Sequence, residues 1–177
     1  MKSKSIKDRI RDYFFMHPSE KLRVRQIERA VKVPLHSAIR YAGELEDESL
    51  LKSAVMFGVK VYSADRGSKK FLIEKKIFNM GQIYDSGLID FLAEKLGNPG
   101  IVIFGSYSKG EDVESSDIDI YVEGSSKKEI ALGKFENILK RKIQIFRHKN
   151  LREIKNRELA NNMINGIILN GFIKVFG

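Results

Sequence analysis

Gly105-Ser106-Tyr107-Ser108-Lys109-Gly110, followed after a short loop by Ser116-Asp117-Ile118-Asp119-Ile120, decides how this chain is read. Just before it, Ile101-Val102-Ile103-Phe104 is a continuous apolar run of the length of a buried strand. Gly105 and Ser106 therefore fall at a strand end, where backbone amides and a hydroxyl can meet phosphate oxygens. Asp117 and Asp119 are separated by one apolar residue. In a strand, whose side chains alternate, that spacing puts both carboxylates on one face and Ile118 and Ile120 on the other. Two carboxylates so close repel unless a cation lies between them, and a hard divalent ion with oxygen ligands is the natural occupant. Taken singly, the acidic pair reads as a solvated strand face and the Gly-Ser step as an ordinary turn. Their conjunction points to chemistry on a phosphorylated ligand.

Gly-Ser, ten intervening positions, then Asp-x-Asp resembles the pattern of the minimal nucleotidyltransferases of the DNA polymerase beta superfamily. The resemblance implies an α/β (α+β) domain with a small mixed sheet. It also implies transfer of a nucleoside monophosphate, with AMP and ATP as the expected group and donor, to an acceptor on a protein or small molecule. By the same resemblance Gly105 and Ser106 contact the triphosphate, and Asp117 and Asp119 are the catalytic residues that hold Mg2+ in a two-metal arrangement. A third carboxylate on a following strand completes the family's site. Here the following strand reads Lys142-Ile143-Gln144-Ile145-Phe146, with Gln144 in place of the usual Asp. An amide oxygen is a weak ligand and no base at neutral pH. Glu123, on the strand face of Asp117 and Asp119, is the next candidate for the missing group. The triphosphate's negative charge invites nearby cations, for which Lys109 and Arg147 are available.

The formal net charge of +9 is unevenly spread: residues 1–75 carry 17 Lys and Arg against 10 Asp and Glu, and the remainder 15 against 13. A basic N-terminal part suggests a polyanionic partner, although a lysine-rich solvated surface is the alternative. Within it, Ile6, Ile10, Tyr13 and Phe14 have helical spacing up to His17-Pro18. Leu22-Arg23-Val24 is a short extended piece and residues 26–31 a brief second helix. Pro34 opens a third helix whose buried stripe is Leu35, Ala38, Ala42 and Leu45. The segment from Lys52 to Tyr62, with a central Gly58, reads as a hairpin.

Three helices and a hairpin in this order resemble a winged helix-turn-helix, with Ser49 standing where many members have Gly. The resemblance implies duplex DNA as partner, with His36, Ser37, Arg40 and Tyr41 of the third helix in the major groove and Lys52 and Lys60 of the hairpin on phosphates. Arg40 is the leading candidate for a base contact. Its competing reading is a salt bridge to Glu44 one turn on. The acidic run Glu44, Glu46, Asp47 and Glu48 must then face away from phosphate.

These readings divide the chain into a winged helix over residues 1–66 and a nucleotidyltransferase domain over 67–177, with Asp65-Arg66-Gly67-Ser68-Lys69-Lys70 as the link. Beyond it we expect helices over 71–78 and 83–96, a break at Gly97-Asn98-Pro99-Gly100, and a helix from Lys127 to Lys140. A long helix over 150–169, stopped by Asn170-Gly171, and a last strand from Phe172 to Phe176 complete the expected order. No apolar run is long enough to span a membrane, so no membrane partner is expected. The start of the chain lacks an apolar signal core, and the absence of cysteine excludes disulfides and thiolate sites. A cytoplasmic setting is expected. Two functions follow. One is an enzyme acting on a partner, with the resemblance adding HEPN-type toxin–antitoxin pairs as precedent. The other is a DNA-binding regulator whose nucleotidyltransferase domain only binds nucleotide or a protein. A homodimer is also open by family inference.

Overall fold

The computed structural model describes residues 4–126 and 128–175. Among these the chain forms eight α-helices and two sheets and divides into two compact units, Met1–Phe78 and Asn79–Gly177. The division falls inside one helix, α4, rather than at the turn over 65–68.

In the first unit, α1 (Ile6–Met16) starts at Ser5, whose hydroxyl accepts from the Asp8 amide and so satisfies a donor that the helix cannot. Strand β1 (Lys21–Leu22), α2 (Val24–Val31), α3 (Leu35–Asp47), β2 (Leu51–Met56) and β3 (Val59–Ala64) follow. Pro34 stands at the N-cap of α3, and Ala38, Ala42 and Leu45 lie fully buried on its inner face with Ile10, Phe14 and Ile27. The three strands pair antiparallel in the order β1-β3-β2. Ser49 adopts the left-handed φ of +59° and turns the chain from α3 into β2, the conformation that a glycine would take without strain.

In the second unit a four-stranded sheet has the order β6-β5-β4-β7. Its strands are β4 (Gly100–Phe104), β5 (Ile118–Glu123), β6 (Ile143–His148) and β7 (Ile167–Asn170). Only β5 and β6 run parallel. Alternation sorts the side chains: Ile101, Ile103, Ile118, Ile120 and Val122 point to one core with Leu88 and Leu92 of α5 (Leu88–Leu96) and Phe135 of α7 (Gly133–Leu139). Val102, Phe104 and Tyr121 point the other way, against Leu151, Ile154 and Met163. Asp119 belongs to this second face, and Asp117 lies just ahead of β5.

Several expected elements differ. Helix α4 runs from Lys69 to Asp85, and Gly87, with φ +73°, separates it from α5, so residues 83–96 are not one helix. The helix expected over 127–140 is confined to Gly133–Leu139. Lys127 lies outside the described residues, and in the stretch from 128 to 132 Ile130 and Leu132, two residues apart, both pack on the core instead of following a helical stripe. The long helix expected over 150–169 is broken into a short 3-10 turn (Leu151–Glu153), α8 (Arg157–Ile164) and β7. Asn156 causes the restart, accepting from the amides of Glu158 and Leu159. Gly166 causes the turn into β7, because a Cβ there would meet Ile103 O and Val102 Cγ1 at 2.5 Å. The last strand is therefore Ile167–Asn170 and not 172–176; residues 172–175 form none, and Phe176 lies outside the described residues.

Candidate active site

Gly105 opens α6 (Gly105–Lys109) directly at the end of β4, with φ +72°. A Cβ at this position would stand 2.4 Å from Asp119 Oδ2. The phosphate-type turn and the acidic strand are thus in contact, and only a residue without a side chain permits it. Phe104 and Asp119 are register partners across β4 and β5, which fixes that approach. Asp117 sits exposed just ahead of β5, and Asp119 is half-buried within it. Burial, and secondarily the Asp117 charge, hold the Asp119 carboxyl above its usual range. Two carboxylates side by side supply hard oxygen ligands, so the donor set suits a divalent cation shared with substrate phosphates.

Gln144 is the register partner of Asp119 on the parallel neighbour β6, exposed at the sheet edge. Among the described residues no group of three or more His, Cys, Asp or Glu side chains is assembled for a metal. Glu123 does not substitute. It lies four residues along β5 from Asp119, about 13 Å at the rise of a strand, with fully buried Tyr121 between them. Its Oε2 accepts instead from the Lys174 amide.

Ser106 is half-buried in the first turn of α6, and Lys109 is exposed at the end of that helix. Arg147 does not join them. As the partner of Val122 it belongs to the opposite face, and its guanidinium donates to the backbone carbonyls of Ser126 and Lys128.

Sequence reasoning missed the support beneath the turn. Asn79 Nδ2 donates to Tyr107 O at 2.9 Å and to Asp112 Oδ1 at 2.7 Å, and Arg141 faces the Asp112 carboxylate at 3.7 Å. Asn79 and Asp112 are buried, and burial followed by the Asp112 charge pushes the Tyr107 phenol far above its ordinary range. This network ties α6 to Asn79 at the second unit's end of α4 and to the turn before β6. Arg141 also lines a cleft of about 380 Å³ together with Asp117, Ser115, Ser116, Asn137 and Lys140. The signals lay in plain sight as a loop Asp and one Arg of a basic run, but nothing in their spacing separates them from surface charge.

On the first unit, His36 and Arg40 of α3 are exposed and Tyr41 half-buried. Ser37, expected at the DNA, is instead buried beside Ala38 on the inner face of α3. Arg40 Nε donates to Glu44 Oε1 at 2.8 Å while its guanidinium lies over the Tyr41 ring. Lys60 pairs with Glu46 at 2.9 Å and Lys52 with Asp65 at 3.6 Å. The acidic run is thus partly neutralised by neighbouring cations.

With this geometry in view, residues 86–170 match the family model described as Nucleotidyltransferase domain. The matched stretch runs from just before α5 to the end of β7 and holds the whole turn, the acidic pair and Gln144. No curated protein and no solved structure matches the chain. No helix of the described residues is long and apolar enough to cross a membrane.

Proposed function

We propose that the second unit binds a nucleoside triphosphate, with ATP the expected donor, and transfers its nucleoside monophosphate to a protein or small-molecule acceptor. The observation that carries this is the close approach of Asp119 to the Gly105 backbone, which joins a phosphate-type turn to a carboxylate pair. The match of residues 86–170 to a nucleotidyltransferase domain supports the same reading.

In this account the Gly105–Ser106 turn holds triphosphate oxygens through backbone amides and the Ser106 hydroxyl, and Lys109 adds positive charge from the end of α6. Asp117 and Asp119 would hold Mg2+, which when bound neutralises phosphate charge and stabilises the charge that develops on transfer. The Asn79–Asp112–Arg141 network keeps the turn against β5. Gln144 leaves the position beside Asp119 without a charge or a base, so deprotonation of the acceptor is the weak step. The first unit acts as a winged helix that carries the domain to duplex DNA through His36, Arg40 and Tyr41 on α3 and Lys52 and Lys60 on the hairpin. A HEPN-type protein is the candidate acceptor.

The register of Gln144 favours a second reading, a DNA-binding regulator whose second unit binds nucleotide without efficient transfer. Incorporation of labelled nucleotide separates the two. If Gln144 occupies the third-carboxylate position, Gln144→Asp raises transfer by about a hundredfold to a thousandfold, and Asp119→Ala in that background abolishes it. Efficient transfer by the unaltered chain, with no gain from Gln144→Asp, contradicts this assignment of Gln144.

A further inference from the structure

The hairpin of the first unit ends in a feature that the DNA-binding reading does not use. Strands β2 and β3 are joined through Phe57 and Gly58, which both have positive φ, +49° and +72°. This is the two-residue turn that matches the twist of a hairpin, and its favoured first residue is Asn, Asp or Gly. A bulky aromatic in the left-handed region is a backbone outlier. Phe57 also gains nothing from burial, being 95% exposed. Its neighbours Val55, Met56 and Val59 are exposed at 75%, 37% and 36%, so the tip is an apolar projection. Local conformation and solvation both disfavour Phe57, which points to a contact made by the tip.

What it contacts follows from shape and charge. The tip is convex and one hairpin wide, suited to a groove more than to a flat surface. From Leu51 to Ala64 the ribbon carries Lys52 and Lys60 and no carboxylate. Lys60 is the register partner of Val55, directly behind the tip. Lys60 now pairs with Glu46 and Lys52 with Asp65, and both lysines are exposed, so these partly exposed ion pairs are open to exchange for phosphate. An apolar point with cations behind it complements a groove with a base-pair floor and phosphate walls. We propose that the hairpin tip is a wedge that enters the minor groove of duplex DNA, with Phe57 inserted at a base step and Lys60 and Lys52 on the flanking phosphates. Partial unstacking is least costly at flexible TA and CA/TG steps, so the wedge favours those steps. This inference rests on the reading of the first unit as DNA-binding.

Phe57→Asn tests it, because Asn suits the turn and removes the wedge. Full-length wild type and variant are titrated onto duplexes carrying 2-aminopurine at a central TA step, with end-to-end energy transfer reporting bending. The wild type is expected to bind, raise the 2-aminopurine emission and bend the duplex. Phe57→Asn is expected to lose about tenfold in affinity, with both optical signals, while its thermal midpoint stays or rises. Phe57→Leu should keep most of the signal. If the wild type binds and Phe57→Asn matches it in affinity and emission, the wedge is wrong and the DNA reading stands. If the wild type binds no duplex at low salt, both fall. A tip that changes self-association in sedimentation and leaves DNA binding untouched overturns the wedge in favour of a contact between copies of the chain.

Discussion

Asp119 of β5 and Gln144 of β6 are register partners on two parallel strands, so Asp119 has an uncharged amide beside it on β6. The consequence is that no carboxylate stands opposite Asp119 on β6. On the proposed reading, nucleotide and metal binding rest mainly on Gly105, Asp117 and Asp119, and catalytic strength on what occupies position 144.

Gly105→Ala should disable the site. The added methyl meets Asp119 Oδ2 at 2.4 Å, and the φ of +72° strains any side chain there. We expect a stability loss of about 1–3 kcal/mol by denaturant titration together with loss of nucleotide binding. A variant as stable as wild type with normal binding would show that the turn does not approach the carboxylate as described.

Asp119→Asn should stabilise the protein while abolishing metal-dependent nucleotide binding. The folded-state carboxyl is raised above its ordinary value of 3.8, so the unfolded chain gives up this proton first and stability falls as pH rises through that interval. Above it the ionised group is a standing cost, which Asn removes; below 3.8 both states hold the proton and the advantage disappears. Melting curves at acid and neutral pH, without divalent ions, read the difference. Destabilisation by Asp119→Asn at neutral pH would contradict it.

DNA binding by the full chain should weaken steeply with salt, as expected when lysines and arginines displace counterions. Arg40→Ala should reduce discrimination between duplex sequences more than Lys60→Ala, which should lower affinity nearly uniformly and flatten the salt slope by about one. Competition titrations against random-sequence duplex make the comparison. Equal loss of discrimination in both variants would remove Arg40 from base contact and leave it as the partner of Glu44.

Much of this was legible because it is local. Strand alternation placed Asp119 on the face opposite Ile118 and Ile120, although Asp117 falls just ahead of the strand, and the apolar run before Gly105 placed the turn at a strand end. The first and third helices of the first unit follow from their apolar stripes, and Pro34 marks the start of the third. Long-range packing was not legible. Gly166 reads as a helix residue until the approach of Ile103 and Val102 is known, and the 150–169 segment breaks there for that reason. Ser37 looks like an exposed polar residue of α3 until the helix phase is fixed by Ala38 and Ala42. The pairing of Asn79 with Asp112, 33 residues away, leaves no trace in spacing.

The central claim, that the turn and the two aspartates form a nucleotide site, is tested most directly by calorimetric titration of ATP in magnesium. The account predicts binding by the wild type that requires the metal and is lost or strongly weakened in both Asp117→Ala and Asp119→Ala. Absence of binding at millimolar nucleotide and magnesium, or binding indifferent to the metal and to both substitutions, would contradict it.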